Sequence, residues 1–309
     1  MILFAGTRPL DACEGLKAVY DAYHGSKSYV QMDPWRHHPE IRSGKYTLMV
    51  CDEFPTESPG KIIMISHGFA GGKRSGLDQS HPYHSEKYAD LMDYVIAPSA
   101  DVVNLMARFS GVPKERVLPL GSAATDAYIG KRKGEGGTEF AKKRVYFYLP
   151  TYRSKEDPKL PDIDWQWLDD QLTDDELFAV RAHPMTGKLL LKRYRHIREY
   201  ATCCEISPWL IDCDVIITDY SSVMIDGYLL NKPCVLFEKN SGYTETRGMY
   251  LNYPDQYCSR YAKNERILLD LIRTADTLTD TEKECRRLLA GACDGHAGER
   301  IVKLIEDIA

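Results

Sequence analysis

Four short stretches of this chain end apolar runs on groups that could hold an anion or move a proton. The fullest is Val215-Ile216-Ile217-Thr218-Asp219-Tyr220-Ser221-Ser222-Val223, a β-branched run that leads into two hydroxyls. Such a run suits a strand covered on both faces, and Ser221 and Ser222 fall where a helix N-cap is wanted. A helix over 223–231 would aim its free N–H groups and positive dipole end at a phosphate. The same residues also describe an ordinary capped helix, with Asp226 favouring its start. The second stretch is Ile65-Ser66-His67-Gly68, followed by Gly71, Gly72, Lys73 and Arg74. A strand-end imidazole beside a residue with no side chain can face a ligand while backbone comes close, or it can be purely structural. In the third, Thr151-Tyr152-Arg153, the guanidinium could fork onto phosphate oxygens or join a surface ion pair. The fourth ends on His183, held extended by Pro184, which could donate to a phosphate or bond a neighbouring carbonyl.

These stretches need strands beneath them, and the pattern supplies strands. In the first half, 2–5, 28–31, 46–51, 62–65 and 94–97 read as strands, with helices after Arg8-Pro9, around 85–92 and over 101–109. Leu16, Val19, Tyr20 and Tyr23 form the apolar face of the first helix. A second set runs through 145–149, 177–181, 215–218 and 234–237, and helices near 264–274, 279–293 and 296–308 close the chain. Alternation of this kind implies α/β architecture with parallel sheets covered on both faces, and ligands beyond the carboxyl ends of the strands. The charged, glycine-bearing stretch 131–143 is the linker candidate. It divides the chain into two Rossmann-like domains, 1–137 and 138–309, facing a cleft. This arrangement resembles the GT-B architecture of nucleotide-dependent transferases, and the resemblance implies an acceptor-side first domain and a donor-binding second one. In the last helix Ile301, Leu304, Ile305 and Ile308 make one stripe that packs on the body.

Composition narrows the class. The 309 residues carry a net charge of -5 with 28% charged residues, which excludes the one-sign surface of a nucleic-acid binder. No apolar run approaches the roughly 20 residues of a membrane-spanning helix, and the opening Met1-Ile2-Leu3-Phe4-Ala5 lacks a secretory lead. The expected location is the cytoplasm, at most peripheral to the inner membrane face. Nine cysteines, an odd number without paired CxxC spacing, read as reduced thiols and not as a metal site. No carboxylate pair is specific enough to assign a metal, and Mg²⁺ is kept as the one candidate cofactor.

In order, His67-Gly68, Thr151-Tyr152-Arg153, His183-Pro184, Asp219-Tyr220-Ser221-Ser222 with Asp226, Lys232-Pro233 and Arg247-Gly248 make a series. The series resembles the CDP-glycerol glycerophosphotransferase family, enzymes that build poly(glycerol phosphate) teichoic acids and related phosphate-linked polymers. Residues 218–226 carry the most specific match, and Gly121 with Asp126 a weaker one between the domains. The resemblance implies a CDP-glycerol or related CDP-alditol donor, a glycan or polyol-phosphate acceptor that can be lipid-linked, and release of CMP. It places His67 as the base toward the acceptor hydroxyl and His183 on the donor pyrophosphate. Thr151, Arg153, Asp219, Ser221, Ser222 and Arg247 fall around the donor, and Asp226 within reach of its ribose or glycerol hydroxyls. The family's Trp-His-Gly-Thr-Pro-Leu-Lys is replaced here by Ser66-His67-Gly68-Phe69-Ala70-Gly71-Gly72-Lys73, so Gly68, Gly71, Gly72, Lys73 and Arg74 form a rebuilt acceptor-side loop. The basic membrane-binding extension of the long polymerases is not found, which favours single addition over processive polymerisation.

Two other readings fit the same scaffold. Gly6-Thr7-Arg8-Pro9 resembles the opening of UDP-sugar 2-epimerases, and a UDP-sugar glycosyltransferase would share the fold. Those enzymes carry glycines in the nucleotide loop where this chain has Tyr220-Ser221-Ser222. A non-catalytic nucleotide sensor is the third reading, kept alive by the altered loop after His67.

Overall fold

The computed structural model describes residues 1–33, 37–65, 89–151, 162–183, 186, 189, 191–201, 205–239 and 249–309, without the side chains of Ala12 and Phe109. Two compact units emerge, Met1–Ile129 with Arg287–Ala309, and Gly130–Arg286. Each is an α/β unit built on one six-stranded sheet whose strands pair in parallel throughout.

In the first unit the strands are β1 (Ile2–Gly6), β2 (Lys27–Gln31), β3 (Leu48–Cys51), β4 (Lys61–Ile65), β5 (Tyr94–Ile96) and β6 (Val117–Leu118). They lie in the order β2-β1-β3-β4-β5-β6. β1 and β3 are buried at every position, as expected for parallel strands covered on both faces. Helix α1 (Glu14–Ala22) buries Leu16 and Val19, the inner part of the stripe read from the sequence. It starts later than Pro9 because a 3-10 turn over Leu10–Ala12 intervenes. Helix α2 (Val103–Ser110) ends on Gly111 at φ +70°, the left-handed cap that glycine takes without steric cost.

The second unit holds β7 (Arg144–Tyr148), β8 (Glu176–Val180), β9 (Ile197–Glu199), β10 (Val215–Thr218), β11 (Cys234–Phe237) and β12 (Tyr261–Ala262), in the order β12-β11-β10-β7-β8-β9. Between them run α3 (Trp165–Gln171), α4 (Ser207–Asp212), α5 (Val223–Leu229), α6 (Glu265–Thr274) and α7 (Asp280–Ala290). Asn264 caps α6 by accepting from the Ile267 N–H at 3.0 Å. Tyr146, Tyr148, Phe178, Val180, Ile217, Val235 and Leu268 lie in one buried cluster over this sheet.

Domain limits differ from the sequence expectation at both ends. The stretch 131–143 is folded onto α4: the buried Asp212 carboxylate accepts from the N–H groups of Gly134 (2.7 Å), Gly136 (3.0 Å) and Thr138 (2.8 Å) and from the Thr138 hydroxyl (2.8 Å). Burial alone would raise this carboxyl's pKa, but those donors hold it below the usual carboxylate range. The last helix, α8 (Ala297–Ile308), belongs to the first unit and not to the second. Its Ile301 and Ile305 are fully buried with Ile2, Phe4, Leu16 and Val19, contacts of about 1.5–3 kcal/mol per side chain. Gly121 and Asp126 serve this return, both within the first unit. A Cβ on Gly121 would stand 2.4 Å from the Ala292 carbonyl oxygen, and Asp126 accepts from the Ala297 (3.2 Å) and Gly298 (2.6 Å) N–H groups. An amphipathic stripe announces that a helix packs, but not on which body.

Candidate active site

In the second unit the chain builds β7, β8 and β9 outward and then returns to lay β10 against the other side of β7. The strand order reverses there, and the general rule for open parallel sheets puts the ligand beyond the carboxyl ends of the two strands at such a point, here β7 and β10. Residues just past those ends are Thr151 and Asp219, and they meet. Asp219 is 0% exposed, and its Oδ1 accepts from the Thr151 N–H at 2.8 Å and the Tyr220 N–H at 2.7 Å. Beneath this strap the Thr218 hydroxyl donates to the Leu149 carbonyl at 2.5 Å, and the Leu149 N–H to the Ile217 carbonyl at 2.8 Å. One carboxylate oxygen held by two backbone donors fixes the path of the chain from β10 toward α5.

That turn carries Ser221 and Ser222, both partly exposed. The expected N-cap geometry differs in detail. Ser222 occupies the cap position at φ -64°, ψ -12° with no side-chain cap bond, and Ser221 Oγ accepts from the Val223 N–H at 3.4 Å. A hydroxyl not used as a cap stays available to a ligand. Asp226 lies one turn along α5, partly exposed, and the helix stops at Leu229, two residues before the expected end. His183, exposed, follows β8, the neighbour of β7, so it leaves the same edge of the sheet, and its carbonyl accepts from the Thr186 N–H at 2.8 Å. Thus Thr151, His183, Asp219, Ser221, Ser222 and Asp226 share the carboxyl-end edge of one sheet, with a direct bond between the first and third. His67, Gly68, Gly71, Gly72, Lys73, Arg74, Arg153 and Arg247 lie outside the described residues.

A tyrosine cluster behind the turn escaped the sequence reading. Glu238, just past β11, accepts from the Tyr220 hydroxyl and from the Tyr261 hydroxyl at 2.6 Å. Tyr253 packs on Tyr220 with ring centroids 4.9 Å apart, and its hydroxyl donates to the Asp219 carbonyl at 3.4 Å. Burial, then the Glu238 bond and charge, push the Tyr261 phenol above its ordinary pKa; burial first and the Glu238 and Asp219 charges next do the same for Tyr253. Both stay neutral donors, Tyr253 to the Asp219 carbonyl and Tyr261 to Glu238, which also holds Tyr220. Tyr220 beside Asp219 was the visible half of this signal; the partners come from distant segments.

A cavity of about 510 Å³ opens at the other edge of the sheet, lined by Lys131, Lys133, Arg144, Asp214, Lys232 and their neighbours. Two of its cations are committed to structure. Arg144 donates to the carbonyls of Ile272, Arg273 and Ala275, and Lys133 to Asp214. It sits where β7, β10 and β11 begin, away from Thr151 and Asp219, and the strand-order rule places the chemistry at the opposite edge. Among the described residues no group of three or more His, Cys, Asp or Glu side chains is placed to hold a metal ion. No helix among them is long and apolar enough to cross a membrane.

The family described as CDP-Glycerol:Poly(glycerophosphate) glycerophosphotransferase matches residues 41–307. The chain is 24% identical over 266 residues to the teichoic acid glycerol-phosphate primase of Bacillus subtilis (strain 168), covering 80% of this chain and 68% of the primase. It is 26% identical over 289 residues to the teichoic acid poly(ribitol-phosphate) polymerase of Bacillus spizizenii (strain ATCC 23059 / NRRL B-14472 / W23), covering 84% of this chain but 46% of the polymerase. A solved structure of the wall teichoic acid polymerase TagF superposes with a TM-score of 0.80 at 20% identity, covering 99% of this chain and 89% of that one. At that identity the structural likeness speaks for the fold.

Proposed function

This chain belongs to the CDP-glycerol:poly(glycerophosphate) glycerophosphotransferase family, and we propose that it moves a glycerol phosphate, or a similar alditol phosphate, from a CDP-activated donor to an acceptor hydroxyl in teichoic-acid-type polymer synthesis. The acceptor is a glycan or polyol phosphate, and CMP is released. The observation that carries the reading is the Asp219 strap at the switch point between β7 and β10, with Ser221 and Ser222 partly exposed on the turn it fixes.

In this mechanism His67 takes the proton of the acceptor hydroxyl as that oxygen attacks the β-phosphorus of the donor. The new P–O bond forms as the bond to the bridging oxygen breaks, and the electron pair leaves on CMP. Thr151, Ser221, Ser222 and His183 hold the pyrophosphate from the carboxyl edge of the second sheet, with Arg153 and Arg247 supplying charge from segments near it in sequence. Asp219 positions this set through the backbone, and Asp226 reaches the ribose or glycerol hydroxyls. Phosphoryl transfer asks a protein for alignment and charge stabilisation, which these groups supply.

The test is CMP release from CDP-glycerol in the presence of a synthetic glycerol-phosphate oligomer, with donor affinity measured in parallel. His67→Ala is expected to bind CDP-glycerol normally and to lose about 10²–10⁴ of the transfer rate, the usual contribution of a histidine base. Near-normal transfer by this variant would remove His67 as the base. Stabilisation against heat by UDP and not by CMP would move the protein to the sugar-nucleotide enzymes.

A further inference from the structure

The first sheet has its own switch point. The chain leaves β1 for β2 and returns to lay β3 on the other side of β1, so the general rule for open parallel sheets puts a ligand beyond the carboxyl ends of β1 and β3. Arg8 follows β1, Asp52 follows β3, and they pair across that point, Nη2 to Oδ2 3.5 Å. Asp52 is 4% exposed, whereas half of the Arg8 side-chain surface, 50%, is open. From behind, the Arg8 carbonyl accepts from the Cys13 thiol at 3.6 Å and from the Tyr29 hydroxyl. Burial, then the Asp52 charge, raises the Cys13 pKa to about 11, which keeps it a protonated donor.

The turn is therefore pinned at its backbone, and its guanidinium is steadied at one corner by a buried carboxylate. A guanidinium carries five N–H donors in a planar fork, more than one carboxylate contact uses, and that fork fits two oxygens of a phosphate. Arg8, Cys13 and Tyr29 precede residue 41, where the family match begins, and Asp52 falls inside it.

We propose that Arg8, set by Asp52, Cys13 and Tyr29 at the switch point of the first sheet, binds a phosphate group of the acceptor. The assignment rests on the transferase reading and adds the acceptor's charge to it: the acceptor is phosphate-bearing near its reacting end, not a neutral glycan.

The experiment is calorimetric binding of a short synthetic glycerol-phosphate oligomer, and separately of inorganic phosphate, to the wild-type protein, Arg8→Gln and Arg8→Lys. CDP-glycerol affinity and thermal unfolding are measured on the same samples. Arg8→Gln is expected to weaken the oligomer about ten- to a hundredfold, the usual range for a charge-assisted hydrogen-bond pair, and Arg8→Lys to recover part of the loss. CDP-glycerol affinity should not move, and Arg8→Lys, which keeps a cation beside the buried Asp52, should hold the unfolding temperature near that of the wild type. Oligomer binding that is absent in the wild type, or unchanged in Arg8→Gln, overturns the proposal. So does inorganic phosphate that binds as tightly as the oligomer with the same dependence on Arg8. Loss of CDP-glycerol binding by the wild type would instead count against the transferase reading itself.

Discussion

Substitution of Asp219 separates what its geometry does from what its charge does. The side chain is fully buried, and one oxygen accepts two backbone N–H groups at 2.8 and 2.7 Å. Asp219→Ala leaves both donors buried without that acceptor, and each such loss costs about 1–3 kcal/mol. We expect the alanine variant to lose about 2–5 kcal/mol in all. Asp219→Asn retains a carbonyl oxygen with two lone pairs for the same two N–H groups and forfeits the charge assistance to them, about 1 kcal/mol. Urea unfolding followed by tryptophan fluorescence is the suitable assay, because three of the four tryptophans, Trp165, Trp167 and Trp209, lie in the second unit. CDP-glycerol binding, measured where all three proteins are folded, should fall in Asp219→Ala and stay within a few-fold in Asp219→Asn. Equal destabilisation by the two substitutions would show that charge matters and acceptor geometry does not. Two variants both indistinguishable from the wild type would show that the strap supports nothing.

Two further outcomes follow from the second unit. Ser221→Ala combined with Ser222→Ala is expected to weaken CDP-glycerol by about tenfold in calorimetry with little change in stability, since the one cap-like contact is a 3.4 Å bond from Ser221; unchanged donor affinity would remove the phosphate-cradle reading. Glu176 supplies a pH signature: burial would raise its pKa, but paired bonds from Arg273 and bonds from Tyr146 and the Thr173 N–H bring it down from 4.5 to about 2. A depressed folded pKa stabilises fully above the unfolded value and fades as pH falls through the folded one. The wild type should therefore lose about 1–2 kcal/mol relative to Glu176→Gln between pH 5 and pH 2, less than the shift alone implies because Arg273 is partly exposed. Parallel urea midpoints for the two proteins over that range would refute it.

Strands that are buried on both faces were legible because β-branched and aromatic runs state their own burial: β1, β3, β4, β7, β8, β10 and β11 all fall within a residue or two of the sequence reading. β6, β9 and β12 were not, since two or three residues such as Tyr261–Ala262 carry no period and become strands only by pairing with an existing edge. The glycines of 131–143 read as a linker because composition cannot report that Asp212, some seventy residues on, supplies the acceptors that fold it. In the candidate site, Asp219, Thr151 and the serines were visible as strand-end polar groups. What they lacked in the sequence was Glu238, Tyr253 and Tyr261, whose contribution is a tertiary meeting and leaves no local pattern.

The two switch points solve the same electrostatic problem differently, and the difference assigns their tasks. A carboxylate placed beyond a strand end is largely stripped of water and must be compensated. Asp219 accepts from two backbone N–H dipoles, which fix the path of the chain into the turn that carries Ser221 and Ser222. Asp52 faces a guanidinium that is itself half in solvent. Its charge is cancelled, and the compensating group is also the one presented outward. Removing Arg8 takes away the outward cation itself, while removing Asp52 leaves an arginine that water can still solvate. A site that holds a ligand through a steadied cation should show that asymmetry, with Arg8→Gln harming anion binding far more than Asp52→Asn; a purely structural ion pair would show neither effect.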